Sequence, residues 1–118
     1  MDIYQPGVAD EWIPVRKSLG PNAFALTVSG DSMVSAYGPH SYPPGTVIVV
    51  DPAVQAFPGR RVVAKIIDGG EHQVTFKELQ QDAGRYYLKP LNSQYPTIEV
   101  GSHCEIVGTV VASYQEEG

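Results

Sequence analysis

Glu71-His72-Gln73-Val74-Thr75-Phe76-Lys77-Glu78-Leu79-Gln80-Gln81-Asp82-Ala83 is the longest stretch of the 118-residue chain without glycine or proline. Its 13 residues would suffice for a three-turn helix, yet the apolar side chains do not recur at helical spacing. Val74 and Phe76 alternate with polar residues, with Leu79 just beyond. Val, Thr and Phe also suit a pleated, half-covered surface, so the stretch reads as a strand. Every other window between consecutive glycines and prolines is nine residues or shorter, too short for an ordinary helix. With 12 glycines and 10 prolines as punctuation, the chain reads as mainly β.

Working outward, further strands are expected at Trp12–Arg16, Ala23–Ser29, Thr46–Val50, Arg61–Ile67, Arg85–Leu91, Thr97–Val100 and Glu105–Tyr114, with Gln73–Leu79 the strand inside the opening stretch. Each is short, rich in β-branched or aromatic residues, and bounded by turn formers. Asp68-Gly69-Gly70 and Asp82-Ala83-Gly84 read as tight hairpin turns. Strands of this length and spacing predict one domain of small antiparallel sheets in a partly open, barrel-like arrangement with little helix. Residues 1–22 are expected to form an extended arm and a first strand, and the tail Gln115-Glu116-Glu117-Gly118 to fray.

Composition excludes several classes of function. Thirteen acidic residues against eight basic ones give a net charge of −5, which argues against direct gripping of DNA or of an anionic membrane. No apolar run approaches the length of a membrane span, and Met1-Asp2-Ile3-Tyr4-Gln5-Pro6 lacks the features of a secretory signal. A single cysteine, Cys104, permits neither an internal disulfide nor a cysteine-cluster zinc site, and a reducing cytoplasm is the expected compartment. His40, His72 and His103 are too widely spaced for a local metal motif. No cofactor and no metal are expected.

One constellation carries chemistry. Gly30-Asp31-Ser32-Met33 follows directly on the strand Phe24–Ser29. Glycine lets a strand end in a sharp bend, which would present the Ser32 hydroxyl at a rim beside backbone N–H groups released from the ladder. A serine nucleophile needs that exposure and those donors. The same four residues would also make an ordinary Asx-type turn. The base could be a lysine, provided that burial favours its neutral form. Lys77 sits mid-strand: if Phe76 faces the main core, Lys77 faces the other way and needs a second apolar cover. Lys65, in Val63-Ala64-Lys65-Ile66-Ile67, and Lys89, before Pro90, compete with it, and spacing alone does not choose.

Likeness to a family does. Ser29-Gly30-Asp31-Ser32-Met33 resembles the serine motif of the self-cleaving repressors and mutagenesis proteins, peptidase family S24, and Val74-Thr75-Phe76-Lys77-Glu78-Leu79 resembles the lysine motif of that family. The fit is best to the lambda-type repressor branch. Pro44–Pro52 resembles its segment after the serine loop, and Tyr87–Pro96 and Ile106–Ser113 resemble its C-terminal half. The five blocks stand in the family's order, and the likeness covers most of the chain, from about Phe24 to Ser113.

The resemblance implies a LexA-like β fold with Ser32 as nucleophile and Lys77, 45 residues later, as neutral general base. It also implies an oxyanion hole from the backbone N–H groups of Asp31 and Ser32, and a loop expansion over Val34–Pro44. It further implies that the substrate is the protein's own interdomain linker, cut at an Ala-Gly or Cys-Gly bond when a RecA filament stabilises the reactive state. The chain would then be the C-terminal regulatory and dimerisation domain of a phage-type repressor. Its contact with DNA would run only through an N-terminal helix-turn-helix domain, which is not in this sequence. Too few residues precede Ser32 to hold the scissile bond, and Ala83-Gly84 belongs to a turn. Self-association is expected through the apolar C-terminal strand with Ile106, Val107, Val110, Val111 and Tyr114, and no membrane partner is expected. The alternatives are a catalytically silent oligomerisation domain and a UmuD-like accessory subunit of a translesion polymerase.

Overall fold

The computed structural model describes residues 3–5, 20–36 and 40–115. Eight strands follow one another: β1 (Ile3–Gln5), β2 (Phe24–Thr27), β3 (Val47–Asp51), β4 (Arg61–Asp68), β5 (Glu71–Asp82), β6 (Arg85–Lys89), β7 (Ile98–Glu99) and β8 (Cys104–Tyr114). There is no helix among the described residues, and so none long and apolar enough to cross a membrane. The strand expected at Trp12–Arg16 lies outside them.

The strands form one antiparallel sheet in the order β1-β2-β3-β8-β4-β5-β6-β7. This bears out the mainly β, antiparallel reading, but as a single sheet, and no pairing closes it into a barrel among the described strands. Local turns set part of the register. Gly69 and Gly70 have φ of 58° and 88° and join Asp68 to its partner Glu71, a type I′ hairpin. Ala83 (φ 52°) and Gly84 (φ 78°) do the same between Asp82 and Arg85, with alanine held in the left-handed region.

Alternation along the strands gives the sheet two apolar faces. Leu26, Ile48, Val50, Val63, Phe76 and Val110 bury one side together with Met33 and Tyr42. Ala25 with Val49, and Val62 and Ala64 with Leu79 and Leu88, bury the other. Strand β8 lies in the sheet interior between β3 and β4. Val107 and Val111 are its bulged residues, each skipped by the register of a neighbouring strand. The bulges let Val107 and Val110 pack into the first core while Ile106 and Val111 pack on the opposite side. Ile106, Val107 and Val111 are half-buried, and Tyr114 is the one large hydrophobe of β8 that is exposed. Gly108 permits the crossing, because a Cβ there would stand 2.7 Å from Val50 Cγ1.

Candidate functional site

The turn after β2 forms as its sequence suggests. Val28 still bonds across to the β3 side, donating to Thr46 O at 2.8 Å and accepting from Gly45 N–H at 2.8 Å. Gly30 then takes φ 80°, a conformation open to glycine, and bends the chain away. Val34 N–H closes the turn on Asp31 O at 3.1 Å, and Met33 is buried as its anchor. Ser32, between exposed Asp31 and buried Met33, is left half-buried at the mouth of a cleft. Beyond it the loop returns at Tyr42, whose N–H donates to Met33 O at 2.8 Å, and at Ser41, whose Oγ accepts from Ser35 N–H at 3.0 Å. Tyr37 and Pro39 of the expected loop expansion lie outside the described residues.

Lys77 comes from the middle of β5. Its partner across the ladder is Val62, and Phe76 beside it faces the first core opposite Val63. Lys77 therefore points to the second face, the face that carries the buried cluster of Val62, Ala64, Leu79 and Leu88, and it is 9% exposed. Its Nζ lies 3.0 Å from Ser32 Oγ, 2.9 Å from Thr75 Oγ1 and 3.0 Å from the carbonyl oxygen of Phe76. Two residues 45 apart in sequence are thereby brought into hydrogen-bond contact. Burial disfavours an ammonium, which makes this the environment in which a lysine can serve as a base.

The competing lysines do not approach the serine. Lys65 pairs with Val74 on the other face and lines a separate apolar cavity of about 450 Å³ with Phe24, Leu26, Val63 and Val107. Lys89 is exposed opposite Glu78. His40, His72 and His103 are exposed, and no cluster of metal-ligating side chains occurs among the described residues.

The cleft beside the pair has a volume of about 290 Å³ and is walled by Ile66, Val74, Thr75, Tyr95, Pro96 and Ile98. Among the described strands, residues 71–77 of β5 pair on one side only, with β4; β6 takes the other side from Glu78 onward. The wall is thus a length of sheet edge next to a hydroxyl and an amine.

The loop after β6 was not singled out for any role from sequence. Asn92 N–H donates to Ser32 O at 2.9 Å, and Asn92 Nδ2 donates to Asp31 O at 3.1 Å. Tyr95 Oη donates to Asp31 Oδ1. That bond, and secondarily the negative charge of Asp31, hold the Tyr95 phenol above its usual pKa of 10.0. The signal available in the sequence was the turn-rich run Asn92-Ser93-Gln94-Tyr95-Pro96; nothing in it says which distant loop it meets.

Residues 3–111 match the Peptidase S24-like family. The chain is 44% identical over 108 residues to Repressor protein C2 of Salmonella phage P22, covering 92% of this chain and 49% of that protein. It is 46% identical over 102 residues to the HTH-type transcriptional regulator for conjugative element R391 of Providencia rettgeri, covering 86% of this chain and 46% of the regulator. It is 35% identical over 99 residues to the LexA repressor of Bifidobacterium adolescentis, covering 84% and 35%. The chain spans about half the length of the first two. By the match over residues 3–111 and the identity to these repressors, the chain belongs to the Peptidase S24-like family.

Proposed function

We propose that the chain is the C-terminal regulatory domain of a phage-type transcriptional repressor and that it carries a serine-lysine autopeptidase centre. The observation that carries this reading is the 3.0 Å contact between Ser32 Oγ and the buried amine of Lys77. A neutral amine has two N–H groups and one lone pair. The carbonyl of Phe76 can only accept, and Thr75 Oγ1 can accept an N–H, so in its neutral form Lys77 can turn its lone pair toward the Ser32 hydroxyl.

In the reaction, Ser32 Oγ gives its proton to Lys77 and attacks the scissile carbonyl. The oxyanion is met by the N–H groups of Asp31 and Ser32. Lys77 then protonates the leaving amine, and water releases the acyl group from Ser32. The substrate is the linker joining this domain to a helix-turn-helix domain in the full-length protein, and it enters the cleft as an extended segment along β5. The trigger is a RecA filament, the domain self-associates, and DNA is contacted only through the N-terminal domain. Cleavage ends repression.

The test is cleavage in trans. A linker-containing partner whose own serine is disabled is mixed with this chain across a range of pH. Slow cutting that accelerates with pH and is lost in Ser32→Ala is expected. A partner left intact at every pH would identify a silent oligomerisation domain instead.

A further inference from the structure

Asp31 is held by Asn92 and Tyr95 of the loop after β6, 61 and 64 residues further along the chain, and Asn92 holds Ser32 as well. That loop is itself stiff. Leu88 and Pro90 are buried at its base, and Leu91 packs against the first core. Asn92 Oδ1 accepts from Gln94 N–H at 3.0 Å and Asn92 O accepts from Tyr95 N–H at 3.1 Å, so one tight turn fixes both donors. From that turn Asn92 N–H reaches Ser32 O, Asn92 Nδ2 reaches Asp31 O, and Tyr95 Oη reaches the Asp31 carboxylate.

A peptide unit is planar, with its C=O and N–H pointing in opposite directions. A donor fastened to Asp31 O therefore sets the direction of the Ser32 N–H, and a donor fastened to Ser32 O sets the direction of the Met33 N–H. The tyrosine bond holds the side chain of the preceding residue and prevents the turn from rotating as a whole. We propose that Asn92 and Tyr95 are positioning residues that clamp the peptide units on either side of Ser32, aiming its hydroxyl at Lys77 and its amide at the substrate oxyanion. The clamp rests on the reading of Ser32 as nucleophile. Asp31 and Tyr95 are both exposed, so the tyrosine arm adds little to global stability and its effect falls on the geometry of the turn.

The test uses this chain and a small alkyl fluorophosphonate, which needs no linker. Ser32 Oγ bonds to phosphorus, fluoride leaves, and the hydroxyl proton passes to Lys77. The parent should be labelled at Ser32 and the Ser32→Ala variant should not. Tyr95→Phe, which keeps the ring, and Asn92→Asp, which keeps the turn but loses the donor, should each slow labelling about tenfold. The melting temperature should stay within a few degrees, and the midpoint of the pH profile should not move. Asp31→Ala combined with Tyr95→Phe should be no slower than either change alone, because both break the same bond. A labelled parent whose Tyr95→Phe and Asn92→Asp variants react within twofold of it overturns the clamp and leaves the nucleophile standing. Rates that fall only in step with the melting temperature also overturn it. An unlabelled parent removes the nucleophile, and the clamp with it.

Discussion

Replacing Lys77 by methionine separates the chemistry of this site from its packing. The lysine stem rises from the sheet face that carries Val62 and Leu79, and its amine reaches Ser32, Thr75 and the Phe76 carbonyl. Methionine retains the length and apolar character of the stem, a near volume-conserving change that costs less than about 1.5 kcal/mol. At about 4 °C per kcal/mol for a chain of this length, the melting temperature should fall by no more than about 6 °C. The thioether cannot take a proton from Ser32. Loss of a general base costs about 10²–10⁴-fold, so fluorophosphonate labelling of Ser32 should drop by at least a hundredfold. The pH dependence should vanish as well, because the parent rate rises about tenfold per pH unit only while a lysine is being converted to its neutral form. Lys65→Met, on the opposite face, should stay within about twofold of the parent rate, since it touches none of the reacting groups. A Lys77→Met protein that keeps more than a tenth of the parent rate, or a Lys65→Met protein that loses its activity, would refute Lys77 as the base.

Three further outcomes are expected. Ala83→Gly relieves a left-handed alanine in the β5–β6 turn and should stabilise the chain by about 1 kcal/mol, read as a melting temperature about 4 °C higher. Gly108→Ala pushes a methyl group against Val50 Cγ1 and against backbone atoms of Asp51 and Pro52 at 3.1 Å, which should cost about 1–3 kcal/mol in a denaturant titration; an unchanged midpoint would show that the β8 bulges relax freely. The Tyr95 phenol, followed by NMR with labelled tyrosine, should ionise above 10.0 and return toward that value in Asp31→Ala. The sign follows from linkage: the raised pKa means that the contact stabilises the fold below the ordinary tyrosine range and is lost as pH rises through the raised value.

How far the sequence could be read depended on the range of the interactions involved. Seven strands were legible from alternation and punctuation, and Asp68-Gly69-Gly70-Glu71 forms the turn its glycines demand. Alternation also placed Lys77 on the face opposite Phe76, which is where it lies, on the side of Val62, Leu79 and Leu88. The choice of Lys77 over Lys65 was beyond any local signal, since the two differ in which face and which distant loop they meet. The insertion of β8 between β3 and β4 was equally hidden, because a strand's neighbours across a sheet are set by the whole topology and not by its own residues. The Asn92 and Tyr95 contacts with Asp31 went unseen because exposed polar residues have no periodicity to betray their partners.

The central place of β8 has a consequence for the order of events at the ribosome. Among the described strands, β1-β2-β3 and β4-β5-β6-β7 are two separate ladders until β8 pairs with both. Ser32 follows the first ladder and Lys77 belongs to the second. The strand that joins them, Cys104–Tyr114, is the last of the eight to be synthesised. A nascent chain can therefore form the hairpins of both ladders before any strand pairing joins them, leaving the 92–95 loop as the polar link between the two halves. Synthesis of β8 becomes the step that completes the sheet between the serine turn and the lysine strand, so a frameshift near Cys104 would remove the only backbone ladder shared by the two halves among the described strands.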